Sequence, residues 1–213
     1  MAKKARQRAT SIHNFLSMKF ERIAFEGAWR DAFDQPEKGG IWYVGGRPTN
    51  GKTSFVVQLI KVLAELGMKV RFFNFEEQAS ISMQETICRE RLIDVAHNVQ
   101  VISFMLSYAE IRKELETTRT HVAVIDTIQK SGITKAQVEE LRRDFPDVLI
   151  VFVSHVLPNG LPEKAPANQA YREASLKIYV DRFRAISQGR YFGKLGYYDI
   201  WEEKAAKCWA ENV

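Results

Sequence analysis

The residues whose types and spacing suit chemistry begin in the run "GGRPTNGKTSF". Gly46, Gly51, Lys52 and Thr53 stand in the pattern GxxxxGK[ST], with the apolar run "GIWYV" before it and the helical pattern "SFVVQLIKVLAELG" after it. That context is what phosphate binding requires. Glycines let backbone N–H groups turn towards phosphate oxygens, a helix N-terminus adds the positive end of its dipole, a lysine ammonium meets the β and γ oxygens, and a threonine hydroxyl reaches Mg2+. The expected nucleotide-binding segment is therefore the whole loop: Gly46, Arg47, Pro48, Thr49, Asn50, Gly51, Lys52, Thr53 and Ser54.

Carboxylates stand at two other places where such a site needs them. Asp126 closes the apolar run "VAVID", and a carboxylate at the carboxyl end of a buried parallel strand lies on the edge where α/β sheets bind ligands. It is expected to hold Mg2+ through a water. Glu76 and Glu77 follow "RFFNF" in the same way, and hydrolysis needs a group to orient or deprotonate the attacking water. Neighbouring side chains on an extended chain point to opposite sides, so one of the pair is expected to face the γ-phosphate. Glu76 is assigned that place.

Elements able to position these residues alternate along the chain. After the phosphate-loop helix, Gly67 sits where a helix C-cap glycine belongs. "KVRFFNFEE" reads as a strand, followed by one helix over "SISMQETICRERLIDVA" with capping-box spacing at Ser82 and Glu85. "VQVIS" is the next strand, and Ser107 with Glu110 is a second capping box opening "YAEIRKELETT". "HVAVID" and "DVLIVFVS" are continuous apolar strands with the helix "KAQVEELRRDF" between them. Strands apolar on both faces and alternating with helices predict an α/β fold with a mainly parallel sheet covered on both sides. Beyond Ser154 the texture changes. "HVLPNGLPEKAPANQAYRE" holds three of the six prolines and reads as a long mobile loop, and "LKIYVD", "FRAISQ" and "YYDIWEE" read as an antiparallel β extension.

Composition narrows the class. With 213 residues, 46% hydrophobic, and thirteen Phe, seven Tyr and four Trp, the chain has the material for one core and no apolar run long enough for a membrane span. Cys88 and Cys208 have neither zinc-ligand nor disulfide-framework spacing. The basic start, with Lys3, Lys4, Arg6 and Arg8, lacks a following secretory apolar region, so a cytoplasmic location is expected. A net charge of +5 is compatible with an anionic partner.

Taken together these residues resemble the RecA-like ATPases, in particular the branch containing DnaB-type helicases, RadA-type recombination ATPases and KaiC-like proteins. The resemblance spans roughly Gly39 to Glu203. "GGRPTNGKTSF" looks like the Walker A loop, "FNFEEQAS" is similar to the segment carrying the catalytic glutamate, and "VAVIDTIQKS" looks like the Walker B strand. "VFVSHVLPNG" is similar to the RadA-type "GHVTKEG", which implies that Ser154 and His155 sense the γ-phosphate. "FRAISQGRYFG" resembles the region that reaches a neighbouring subunit's site, and implies that Arg190 is an arginine finger. In the family a lysine stands two residues before that arginine. Here the place is taken by Gln188, with Lys194 nearby at a different spacing.

The resemblance further implies ATP and Mg2+ as ligands, a homo-oligomeric ring or filament, no zinc, and a division into a basic arm and docking segment at 1–38 and a nearly bare ATPase core at 39–213. Two outputs of ATP hydrolysis are open. One is action on single-stranded DNA or RNA in replication, recombination or a mobile element, with Lys130, Lys164, Asn168 and Arg172 on the loops facing the strand and Tyr171 as the aromatic among them. The other is a nucleotide-controlled protein-interaction switch, KaiC-like in logic, with slow turnover.

Overall fold

The computed structural model describes residues 9–210. The basic residues Lys3, Lys4, Arg6 and Arg8 lie outside them. Among the described residues the chain forms an eight-stranded sheet in the order β3-β2-β4-β5-β1-β6-β7-β8. The strands are β1 (Gly40–Gly46), β2 (Val70–Asn74), β3 (Val99–Ile102), β4 (Val122–Asp126), β5 (Leu149–His155), β6 (Leu176–Asp181), β7 (Arg184–Gly189) and β8 (Tyr197–Asp199). β3 to β6 in that spatial order are parallel, while β7 and β8 are antiparallel. The antiparallel extension therefore begins at β7, not at "LKIYVD": β6 runs parallel to β1.

The reason lies in the segment before it. Ala165–Glu173 is a helix within the stretch expected to be a mobile loop. Proline in the first turn costs a helix nothing, because that N–H has no partner in the helix anyway, and here Pro166 occupies such a position. With a helix between them, β5 and β6 are joined by a crossover and can be parallel.

The helices are α1 (Ile12–Leu16), α2 (Gly27–Phe33), α3 (Lys52–Glu65), α4 (Ile81–Arg89), α5 (Tyr108–Thr117), α6 (Lys135–Asp144), α7 (Ala165–Glu173) and α8 (Glu202–Ala210). α3 ends as expected: Gly67 at φ +79° lets its N–H donate to Ala64 O, and Met68 N donates to Leu63 O. α4 is capped by Ser80, whose side chain accepts from Met83 N, so the start predicted at Ser82 moves two residues upstream. It also stops earlier than predicted. Arg91 takes φ +54°, and a 3-10 turn over Leu92–Asn98 follows. The Ser107–Glu110 capping box is present, and Thr134 with Gln137 forms another that opens α6.

Alternate residues of the strands feed two cores. On one face Trp42, Val44, Phe72, Val124 and Val151 join Phe55 and Leu59 of α3. On the other Ile41, Tyr43, Phe73, Ile125 and Phe152 meet the helices α5, α6 and α7. Ile23, Phe25 and Phe33 from the segment before β1 are buried in the first core. Trp29 of α2 stacks on Tyr198 at 4.5 Å and on Phe55 at 5.8 Å, tying that segment to β8 and α3. Deleting a fully buried ring leaves a cavity, so Phe33→Ala should cost about 3–5 kcal/mol in urea unfolding. Phe15→Ala on exposed α1 should stay within about 0.5 kcal/mol.

Candidate functional site

Sheet register decides which side chains meet. Gly46 is paired with His155 across β1 and β5, and Asn74 with Asp126 across β2 and β4, so these strands end together on one edge. The phosphate loop leaves that edge and enters α3. Gly51 caps the helix at φ +92°, in the left-handed region that suits glycine. Gly46 has a different requirement: a Cβ there would lie 2.5 Å from the Val180 carbonyl of β6. The β6–β7 turn rests on the loop, with Arg182 N donating to Asn50 Oδ1 at 2.8 Å and Phe183 N donating to Asn50 O at 3.1 Å. Arg47 donates to the Pro158 carbonyl, which ties the loop to the segment after β5.

A cavity of about 480 Å3 opens here, and Lys52, Thr53, Glu76, Asp126 and His155 all line it. Lys52 is buried, with Nζ donating to the Gly46 carbonyl at 3.3 Å and lying 3.5 Å from His155 Nδ1. Burial pushes its ammonium below the usual lysine range, against the pull of Asp126 and Glu76. Asp126 is 3% exposed, and burial raises its carboxyl to about 7, with Lys52 opposing that and Glu76 and Glu77 reinforcing it. A larger groove of about 620 Å3, beside Phe20, Met68 and His121, lies at the opposite edge and holds none of the predicted residues.

Both glutamates border the cavity, where alternation along an extended strand predicted one. The strand ends at Asn74, and the chain then bends: Phe75 N and Glu76 N both donate to the Asp126 carbonyl, and Asn74 Oδ1 accepts from Glu77 N. Glu77 accepts from the Thr53 hydroxyl at 3.4 Å. Glu76 accepts from the Thr127 hydroxyl at 3.1 Å, with Lys130 Nζ at 3.3 Å and His155 Nε2 at 3.5 Å. Burial would raise the Glu76 carboxyl, but Thr127, His155 and Lys130 outweigh it and hold it below the ordinary carboxylate range.

The residues assigned to a nucleic-acid strand do not form one strip. Lys130 is exposed, with its ammonium against Glu76 at 3.3 Å. Asn168 spends its amide on the Pro162 and Lys164 carbonyls. Lys164 and Arg172 are exposed, at opposite ends of α7. Tyr171 meets Tyr43 edge-on at 5.2 Å and carries Lys177 over its ring, so it is packed and not free for base stacking. Arg190 is exposed just past β7, remote from its own phosphate loop.

Sequence reasoning missed Gln129, whose amide nitrogen donates to Ser154 Oγ at 2.8 Å and to Glu163 O at 3.2 Å, stitching the ends of β4 and β5 together. Its signal was its place in "VAVIDTIQKS". Thr127, in the same run directly after Asp126, was missed as well, and so was Phe183, which nothing local marks.

The fold is RecA-like: a mainly parallel sheet between helices, with an antiparallel edge at β7 and β8. Among solved structures the chain is similar to a KaiC-like protein from the hyperthermophilic archaeon Pyrococcus horikoshii, with a TM-score of 0.60 and 14% identity over 84% of this chain and 97% of that one. It is also similar to the ATPase domain of G40P, with a TM-score of 0.51 and 13% identity over 79% of this chain and 84% of that one. No family model and no curated protein sequence matches the chain. No helix of the described residues is long and apolar enough to cross a membrane.

Asn50→Ala removes one of the two bonds holding the β6–β7 turn and leaves the backbone one. It should lower stability by about 1 kcal/mol in urea unfolding. An unchanged midpoint would mean that the backbone bond from Phe183 N and the packing of Phe183 hold the turn without the Asn50 side chain.

Proposed function

We propose that this chain binds ATP with Mg2+ at the loop from Gly46 to Thr53 and hydrolyses it within an assembly of identical subunits, the nucleotide state controlling a protein-binding surface. One observation carries this reading: a buried lysine at a helix N-terminus shares one cavity with a threonine hydroxyl, a strand-end aspartate and two glutamates. Lys52 and the loop N–H groups would hold the phosphates. The Thr53 hydroxyl and the Asp126 carboxylate are oxygen donors suited to Mg2+, which supplies neutralisation of phosphate charge when bound. Among the described residues no cluster of three or more His, Cys, Asp or Glu forms a metal cage, as fits a cation completed by phosphate and water.

Glu76 orients the attacking water. Held in its ionised form by Thr127, His155 and Lys130, it acts as an acceptor more than as a strong base. His155 sits between Lys52 and Glu76 and links phosphate occupancy to the carboxylate. Arg190 serves another subunit's site. β7 carries it away from its own loop, to the end where Gly189 pairs with Leu176. With Gln188 beside it in place of a second cation, turnover is slow.

The scattered basic residues and the packed Tyr171 favour the switch as output over a strand-bound motor. Action on single-stranded DNA or RNA is the second reading, favoured by exposed Arg47 and Lys164 on the loops of the site edge.

The test is steady-state ATP hydrolysis with and without single strands, with mass measured in each nucleotide state. The expected result is nucleotide-dependent assembly and no strand response. Stimulation by a strand would transfer the output to the second reading. Lys52→Ala should abolish binding, while Glu76→Gln should bind ATP and lose turnover by roughly 10²–10³. If Glu77→Gln shows that loss instead, the two glutamates exchange roles.

A pH dependence follows from Asp126. Its carboxyl is raised to about 7, so below that pH a proton occupies it and must leave before a cation binds. Mg2+ affinity with nucleotide present should rise about tenfold per pH unit up to that value and then level off. Asp126→Asn should flatten the profile.

A further inference from the structure

Both carboxylate oxygens of Glu76 are engaged by other side chains. Oε2 accepts from the Thr127 hydroxyl at 3.1 Å and lies 3.5 Å from His155 Nε2, while Oε1 faces the Lys130 ammonium at 3.3 Å. The same ammonium donates to the Glu76 main-chain carbonyl at 3.2 Å. One lysine thus clasps this residue at its backbone and at its side chain.

The base of that lysine is fixed and its tip is not. Thr127 to Ser131 form a tight turn after β4, in which Lys130 N and Ser131 N both donate to the Thr127 carbonyl and Ser131 Oγ donates to the Ile128 carbonyl. Ile128, Ser131 and Ile133 are buried and anchor the turn, whereas the Lys130 side chain is half exposed. Gln129, its neighbour in the turn, donates to the Glu163 carbonyl and so ties the turn to the segment between β5 and α7. The ammonium can therefore leave Glu76 without any disturbance of the core.

What the clasp does to Glu76 follows from acid–base chemistry. A carboxylate draws a proton from water better the higher its own proton affinity, and a cation within hydrogen-bond reach lowers that affinity. The ammonium also takes up acceptor capacity on Oε1, where a carboxylate has about two lone-pair positions per oxygen. Thr127 acts differently. It is fully buried and uncharged, and its hydroxyl fixes the direction of Oε2.

We propose that Lys130 is a positioning residue that restrains Glu76, keeping the carboxylate a weak acceptor for the attacking water until the ammonium is drawn away. This role rests on the reading of Glu76 given above and adds a brake to that site. An ion pair with one half-exposed partner is weak, so the brake modulates turnover by a small factor and does not abolish it.

The experiment is steady-state ATP hydrolysis with saturating Mg2+, together with titration calorimetry of ATP on the same preparations. Lys130→Met keeps the length of the side chain and removes its charge. It should raise kcat roughly two- to fivefold, the worth of one such pair, and leave KM within about twofold. Lys130→Arg should restore the slow wild-type rate. In the wild type kcat should climb as salt rises, because screening loosens the pair, and it should climb less in Lys130→Met. In a Glu76→Gln background, Lys130→Met should no longer accelerate the residual rate. A Lys130→Met enzyme that binds ATP as the wild type does and turns over no faster overturns the brake and leaves the phosphate site standing. An equal acceleration in the Glu76→Gln background overturns its action through Glu76. Failure of the wild type to bind ATP overturns the phosphate-loop reading, and the brake with it.

Discussion

A lysine ammonium buried at the edge of an apolar sheet must be answered by carbonyls and carboxylates, because water cannot solvate it there. Lys52 is 8% exposed, and its neighbours come from the ends of four strands: the Gly46 carbonyl on β1, His155 on β5, Asp126 on β4, and Glu76 just beyond β2. The rest of the site follows from that convergence. Asp126 resists ionisation because it too is buried, and Glu76 stays ionised because Thr127, His155 and Lys130 surround it. Two carboxylates on one edge thus have opposite tendencies, set by burial in one case and by hydrogen bonds and charge in the other.

Both faces of the parallel strands are covered by apolar helices, so polar chemistry has no place except the strand ends. The loop over that edge is itself held from a distance. Val180 lies too close to Gly46 for any side chain, and the Arg182–Phe183 turn is bonded to Asn50. The β6–β7 turn and the residue before α8 therefore form a wall of the cavity, through Phe183 and Trp201. The β6–β7 hairpin, whose turn holds Phe183, ends on its far side at Gly189, and Arg190 follows. One hairpin thus touches the Gly46–Thr53 loop at its turn and has Arg190 at its other end.

What the chain determined by itself is whatever depends on neighbours in sequence. The turn into α3 at Gly51 is legible because a glycine before a helical pattern answers to local backbone geometry, and the Schellman end at Gly67 and the capping box at Ser107 are equally local. The buried strands are legible because a strand covered on both faces must be apolar throughout. Misreadings arose where a local signal had two meanings: Pro166, read as loop, stands in the first turn of α7, and with that helix unseen β6 looked like part of the antiparallel extension.

Tertiary structure decided everything that depends on which distant residues meet. The pairing of Gly46 with His155 brings that histidine to the lysine, and the bend on the Asp126 carbonyl places both Glu76 and Glu77 at the cavity. Lys130 is a loop lysine by sequence, yet it lies against Glu76, and Tyr171 is packed beneath Lys177. Phe183 and Trp201 carry no local mark at all. Their position comes from strand order and from a turn bonded to Asn50, and contacts of that range are fixed by packing, not by periodicity.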